Sequence, residues 1–339
     1  MAKRIGKYTI ELESPVKVIS SVSAVGKKEG EGPLKSCFDE IIDDVTLNQK
    51  TWEQAECELQ KRAVERAIDK LNLKPHDIDI IFGGDLLSQC SATSFCLRNF
   101  DIPFAGLYGA CSTMALSMVL ASLFVDTGIA KRAAAVTSSH FCSAEKQFRI
   151  PLEYGGQRPP TAQWTVTASG CAIFSKSKQS KIKATKVIFG RICDLGVKDA
   201  ANMGAAMAPA ACETICGFLK DTNTKPEDYD LILTGDLGKV GSQLLNELCI
   251  REHSIDISNV QNDCGLMIYN LDRQDVNSGG SGAGCSACVV CSDIFKRIEK
   301  GELNRVLFAG TGALLSSLSP LQGETIPAIA HGILFEREN

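Results

Sequence analysis

The chain has 339 residues, 44% hydrophobic and 22% charged, with a formal net charge of −4. This is a globular composition, large enough for one extensive core or two fused ones, and 36 basic against 40 acidic residues give no general attraction for nucleic acid or anionic lipid. The start, Met1-Ala-Lys-Arg-Ile-Gly-Lys-Tyr-Thr-Ile-Glu11, lacks the apolar core of a signal peptide and no run reaches transmembrane length, so neither a leader nor a membrane span is expected; fifteen cysteines then read as thiols of a reducing compartment.

Trp52, Ala55, Leu59, Ala63, Ala67 and Leu71 recur at helical spacing with charges between them, which predicts an amphipathic helix over a sheet. Pro75 stops it. Ile78–Phe82 reads as a short strand ending in Gly83-Gly84-Asp85, and a brief helix is expected near 92–99. An apolar strand, 104–108, breaks at Gly109, Cys111 follows, and a helix that is apolar nearly all round runs to about 127. A helix of that kind is buried on several sides. Cys111 therefore sits at or beside a helix N-terminus, where the dipole favours a thiolate. Two readings stand side by side: an activated nucleophile, or a small residue chosen for packing. Ala133–Thr137 is the next strand and ends in Ser138-Ser139-His140. Residues 141–164, rich in Pro and Gly, read as an excursion covering a site. Thr165–Phe174 returns as a strand.

The same grammar then recurs. Pro226-Glu-Asp-Tyr-Asp-Leu-Ile-Leu-Thr-Gly-Asp236-Leu237 repeats Pro75-His-Asp-Ile-Asp-Ile-Ile-Phe-Gly-Gly-Asp85-Leu86. Gly282-Ala-Gly-Cys285-Ser286 echoes Gly109-Ala-Cys111-Ser112, and Pro327–Phe335 echoes Thr165–Phe174. Landmarks in one order imply a duplicated βαβα unit, with halves at 1–180 and 181–339. The fold class expected is α/β, two sheets with helices between and outside them.

Two further patterns bear on chemistry. Cys285-x-x-Cys288-x-x-Cys291 has the spacing of part of an iron–sulfur run, but no fourth cysteine follows nearby and Val289, Ile294 and Ile298 continue a helical pattern, so small-residue packing is the expectation. Ser278–Gly284 is not Gly-x-Gly-x-x-Gly and follows no good strand, which argues against a dinucleotide site. Gly310-Thr-Gly-Ala-Leu-Leu-Ser reads as a strand-to-loop exit.

A duplicated βαβα unit with a helix-terminal cysteine in its first half resembles the thiolase superfamily. Within it, the chain is similar over essentially its whole length to the stage V sporulation AD family. The stretches that carry this are Asn48-Gln-Lys-Thr-Trp-Glu-Gln-Ala-Glu56, Gly84-Asp85-Leu-Leu, Gly109-Ala-Cys-Ser-Thr113, Gln147-Phe-Arg149-x-Pro-x-Glu-Tyr-Gly-Gly-Gln157, Met207-Ala-Pro-Ala-Ala, Asn262-Asp-Cys-Gly-Leu-Met-Ile-Tyr269 and Ile329-Ala-His331-Gly-Ile-Leu-Phe-Glu-Arg337. The resemblance implies a thiolase-like five-layered αβαβα fold and a homodimer. It also implies binding of dipicolinic acid, free or as its calcium chelate, with no other cofactor and no metal site of the protein's own. The role implied is dipicolinate uptake into the developing spore, as the soluble part of a complex with other membrane proteins of the stage V sporulation A group, peripheral at the inner spore membrane.

Thiolases pair the nucleophilic cysteine with a Gly-His-Pro in the second half, and here the matching segment, Gly280–Cys285, has no histidine. His331 falls where thiolases put a second cysteine, and Asn262 near the asparagine that holds a water. That departure argues against an acyl-thioester condensing enzyme or thiolase using Cys111, and no catalytic residue is expected. The expected ligand-binding set is Cys111, His331, Asn262, His140, Asp85, Arg149 and Arg191, with Lys146 as a further cation. A planar dianion calls for fixed cations, Arg above all, while the plain alternative makes Lys146 and Arg149 solvated loop charges and Arg191 a surface ion pair. His76 and His253 sit in polar, loop-like sequence.

Overall fold

A computed structural model describes residues 2–148, 158–177 and 180–338. The first half runs β1 (Lys3–Ile5), β2 (Thr9–Gly26), α1 (Lys27–Gly30), β3 (Glu40–Ile42), α2 (Trp52–Asp69), β4 (Ile80–Gly84), α3 (Ser91–Leu97), β5 (Phe104–Gly106), α4 (Thr113–Asp126), β6 (Arg132–Ser139), α5 (Phe141–Phe148), β7 (Trp164–Thr165) and β8 (Ala168–Ser175). The second runs β9 (Ile182–Ile188), α6 (Met203–Thr222), β10 (Leu231–Thr234), α7 (Gly238–His253), β11 (Gln261–Asp263), α8 (Cys264–Met267), β12 (Gly280–Ser281) and α9 (Ala283–Val289). It ends with a π-helical turn, α10 (Phe295–Lys300), β13 (Arg305–Ala313) and β14 (Ala328–Arg337).

Strand alternation builds the layers. Ala133 and Ala135 of β6 face one core while Ala134 and Val136 face another; Leu231 and Leu233 of β10 face inward while Ile232 faces out. Each sheet is therefore apolar on both faces and must be covered twice. The central core takes α4 and α9 between the sheets; α2 and α3 cover the first sheet outside, and α6 covers the second. The fold is a five-layered αβαβα sandwich. α9 is buried throughout and α4 leaves only Leu116, Leu120, Leu123 and Phe124 half-buried, and the two helices carry few charges. Where α2 faces water, it keeps a charged side and a Thr51 cap that accepts from Gln54 N at 3.2 Å.

The duplication is physical as well as textual. Asp79 accepts backbone N–H groups from Lys131 at 2.6 Å and Arg132 at 2.9 Å; Asp230 accepts from Asn304 at 2.6 Å and Arg305 at 2.9 Å. The halves nevertheless share one ladder, in the order β11-β10-β13-β14-β9-β2-β8-β6-β4-β5. Strand β2 joins them: residues from Thr9 to Lys17 pair with β9, and residues from Lys17 to Val25 pair with β8.

Several boundaries differ from the sequence reading. The strand expected over 104–108 ends at Gly106, and the excursion at 141–164 opens with a helix, α5. Gly310 and Gly312 lie inside β13 rather than at its exit. A Cβ at Gly312 would lie 2.3 Å from Gly109 O, so this glycine lets β13 press against the turn that carries Cys111. Cys285, Cys288 and Cys291 are buried along α9 and its π turn, packing residues as the helical pattern implied.

Candidate functional site

Cys111 lies in a one-turn 3-10 segment, Ala110–Ser112, ahead of α4. Ala110 has φ 49°, a conformation that costs a non-glycine residue about 1–2 kcal/mol. Local bonds hold the turn. Ser112 Oγ donates to Gly109 O at 2.6 Å, and Thr113 Oγ1 donates to Ala110 O at 2.6 Å and accepts from Gly109 N at 3.1 Å.

Above the thiol lies a cavity of about 450 Å³, within the usual span of small-molecule sites. Its wall is mainly apolar, from Leu86, Tyr108, Ala144, Phe148, Met203 and Leu315, with Glu145, Gln163, Asp199 and Ser281 as polar members. Arg158 reaches this wall through Glu145, its Nη2 2.9 Å from Oε1, and its guanidinium lies over the rings of Trp164 and Phe141.

The polar floor is made by the second half. Ser281 Oγ is 4.0 Å from Cys111 Sγ and donates to Asp236 Oδ2 at 3.0 Å. Gly282 N donates to the same oxygen at 2.9 Å, Thr311 Oγ1 donates to Oδ1 at 2.9 Å, and Asp236 is fully buried. Burial, and then the Asp236 carboxylate, push the Cys111 thiol well above the ordinary cysteine range. Burial raises the Asp236 carboxyl as well. The expectation of a thiolate at the helix terminus is thus corrected: taking the sulfur out of water beside a carboxylate disfavours the anion and outweighs the pull of a helix terminus, about 0.3–1 kcal/mol, rising to about 2.

The other expected residues do not converge here. His331 is buried on β14, its Nδ1 accepting from Gly190 N at 3.3 Å and its ring edge-on to Phe189; burial lowers its pKa to about 4. His140 is buried beneath α2, stacked on Trp52, with Nε2 2.8 Å from Val45 O and Nδ1 accepting from Cys142 N; burial depresses its pKa. Neither lines the cavity. Asn262 lies on the edge strand β11 and is exposed, its Oδ1 accepting from Asp263 N at 2.8 Å. Asp85 accepts from Leu87 N and from the backbone and hydroxyl of Thr93, which fixes α3 rather than a ligand. Arg191 pairs with Glu213 and lies over Tyr8 on the outer surface. Lys146 pairs with Glu53 at 2.6 Å, more than half exposed. Arg149 lies outside the described residues.

Asp236 and Ser281 were legible but unread. Asp236 is the repeat copy of Asp85, and Ser281 sits in the glycine-rich run that replaces Gly-His-Pro. Gln163, whose Nε2 donates to Asp236 O and Gly280 O at 2.7 Å, had no sequence signal.

Five alternating layers built from two halves, with a cysteine turn leading into the buried helix of the first, make a thiolase-like fold. Solved structures share that architecture: 3-oxoacyl-[acyl-carrier-protein] synthase III from Aquifex aeolicus VF5 covers 95% of this chain and 100% of its own at TM-score 0.56 and 12% identity. A variant of Xanthomonas campestris OleA covers 96% and 99% at TM-score 0.62 and 13% identity. The chain belongs to the stage V sporulation protein AD (SpoVAD) family, whose profile matches residues 6–336. It is 48% identical to the stage V sporulation protein AD of Bacillus subtilis (strain 168) over 335 residues, 99% of this chain and 98% of that protein. Among the described residues no helix is long and apolar enough to cross a membrane.

Proposed function

We propose that this protein serves spore formation as a non-catalytic dipicolinate-binding protein, which takes the ligand into the cavity above Cys111 and works in dipicolinate uptake beside membrane partners at the inner spore membrane. The observation that carries the reading is the Cys111–Ser281–Asp236 contact. A condensing enzyme needs a thiolate and a base that relays its proton. Here the thiol is held neutral by burial and by a carboxylate, and each buried histidine has its polar contact elsewhere. What remains is a mainly apolar pocket with a few polar groups on its wall.

The wall favours the calcium chelate over the free dianion. Asp199 on the cavity wall repels two carboxylates and Glu145 there is already paired with Arg158, whereas Arg191 and Lys146, expected to hold them, lie in surface pairs. Calcium takes six to eight oxygen ligands, so dipicolinate leaves positions for protein carboxylates, and the chelate is electrically neutral.

Thermal unfolding with dipicolinate, picolinate and each plus calcium tests this. A ligand at a hundredfold excess over its dissociation constant adds about 2.7 kcal/mol. Dipicolinate with calcium is expected to give the largest shift, and Leu315→Trp, which fills the cavity, to abolish it. Equal shifts for picolinate and dipicolinate would contradict the two-carboxylate reading.

A further inference from the structure

On the outer face of the second sheet, α6 and α7 run side by side in the same direction. Gly204 meets Gly241 near their starts, and further along Cys212 and Cys216, midway on α6, meet Cys249 near the end of α7. Two short spacings generate this meeting: Cys212-x-x-x-Cys216 on α6 and Cys249-x-x-x-His253 on α7. Residues four apart share one helix face, so each helix offers two donors to the same seam. The sulfurs of Cys212 and Cys216 each lie 3.6 Å from that of Cys249. The ligand atoms of Cys212, Cys216 and His253 lie within 4.8 Å of one another.

We propose that Cys212, Cys216, Cys249 and His253 form a structural zinc site that staples α6 to α7. Zinc–sulfur bonds of about 2.3 Å in a tetrahedron set the sulfurs about 3.8 Å apart, close to the separations of Cys249 from Cys212 and from Cys216. Three thiolates and one imidazole are a closed structural donor set for zinc. The surroundings supply what such sites use to orient a histidine: Nε2 of His253 is 3.1 Å from Glu213 Oε1, and Glu213 is itself paired with Arg191. An Nε2–H donated to Glu213 leaves Nδ1 as the lone-pair nitrogen for the metal. The three cysteines are buried while the histidine lies at the partly exposed helix end, which gives the ion an entry path. Binding releases three thiol protons and leaves zinc with three thiolates and neutral imidazole; no redox step is involved. Arg191 then supports the histidine through Glu213 rather than meeting a ligand.

The test is metal analysis of the full chain, purified with reductant and then supplied with zinc or cobalt(II). The expected result is one metal ion per chain after exhaustive dialysis. Cobalt should give thiolate charge-transfer bands in the near ultraviolet with the intense visible bands of tetrahedral coordination. His253→Ala should retain its far-ultraviolet circular dichroism and bind zinc at least tenfold more weakly, and Cys249→Ser should lose it. A chelator should lower the melting temperature of the parent by more than that of His253→Ala. A reconstituted protein without metal, a disulfide joining Cys249 to Cys212 or Cys216, or full zinc retention by His253→Ala would each overturn the proposal.

Discussion

Ser281 joins Cys111 to Asp236: its hydroxyl lies 4.0 Å from the thiol sulfur and donates to the carboxylate at 3.0 Å. A carboxylate in that place does the reverse of what an activating histidine does. It adds negative charge beside a group that must become negative to react, and burial adds a larger penalty of the same sign. The strained turn at Ala110 still presents the sulfur to the cavity.

Alkylation measures that relationship. Cys111 should react with iodoacetamide more slowly than an unhindered thiol at pH 8, read by peptide mass spectrometry. Asp236→Asn removes the charge and keeps the shape, and should speed the reaction by about threefold for each unit the thiol pKa falls, the gain in thiolate outweighing its weaker nucleophilicity. An unchanged rate would show that the carboxylate does not govern the sulfur.

His331 predicts an acid-side loss of stability. Its ordinary pKa of 6.5 is lowered to about 4 by burial, so between those values the unfolded chain binds the proton and the folded one does not. The contribution is complete above about pH 6.5 and is lost as pH falls through the folded value, about 3 kcal/mol in all. Denaturant unfolding at pH 7 and pH 4 should show His331→Asn losing less stability than the parent by that amount. Equal losses would remove His331 from the account.

Close packing of β8 on α9 should be intolerant. A Cβ at Gly170 would lie 2.3 Å from Ala287 O and 2.5 Å from Ala287 C, backbone atoms that cannot rotate away. Gly170→Val should cost at least about 1–3 kcal/mol, measured by chemical denaturation. A neutral result would mean that the central layer yields.

The open end of the ladder at β5 is where a second copy is expected to add. Leu107 N and Pro103 O bond to β4, so the alternate groups of Phe104 and Gly106 face outward. Sedimentation at micromolar concentration should show a dimer, and Gly106→Pro a monomer. A monomeric parent would contradict the pairing.

Much of this architecture was legible because duplication writes itself twice. Asp79 and Asp230 fell in one repeated motif and make one pair of bonds. The site was less legible, since charge type does not say which way a strand end points: Arg191 and Lys146 are cations of the right kind whose partners are surface glutamates. His140 and His331 are polar residues that found backbone partners in the core. Asp236 and Asp85 occupy the same place in the repeated motif, so the sequence does not separate them, yet only the second-half copy faces Cys111. The cysteine spacing at 285–291 was conspicuous because it is compact. The 212–253 set is split across two helices, and no linear spacing reveals that seam.

Isothermal titration of calcium dipicolinate into the parent and into Cys111→Ser tests the central claim most directly. The account predicts one site per chain in both, with dissociation constants within about threefold of each other and weaker binding when calcium is withheld, since 1.4 kcal/mol is needed for a tenfold change and a bystander thiol supplies less. Absence of binding to the parent, or binding lost with the sulfur together with an acyl adduct on Cys111 after incubation with acetyl-CoA, would contradict it.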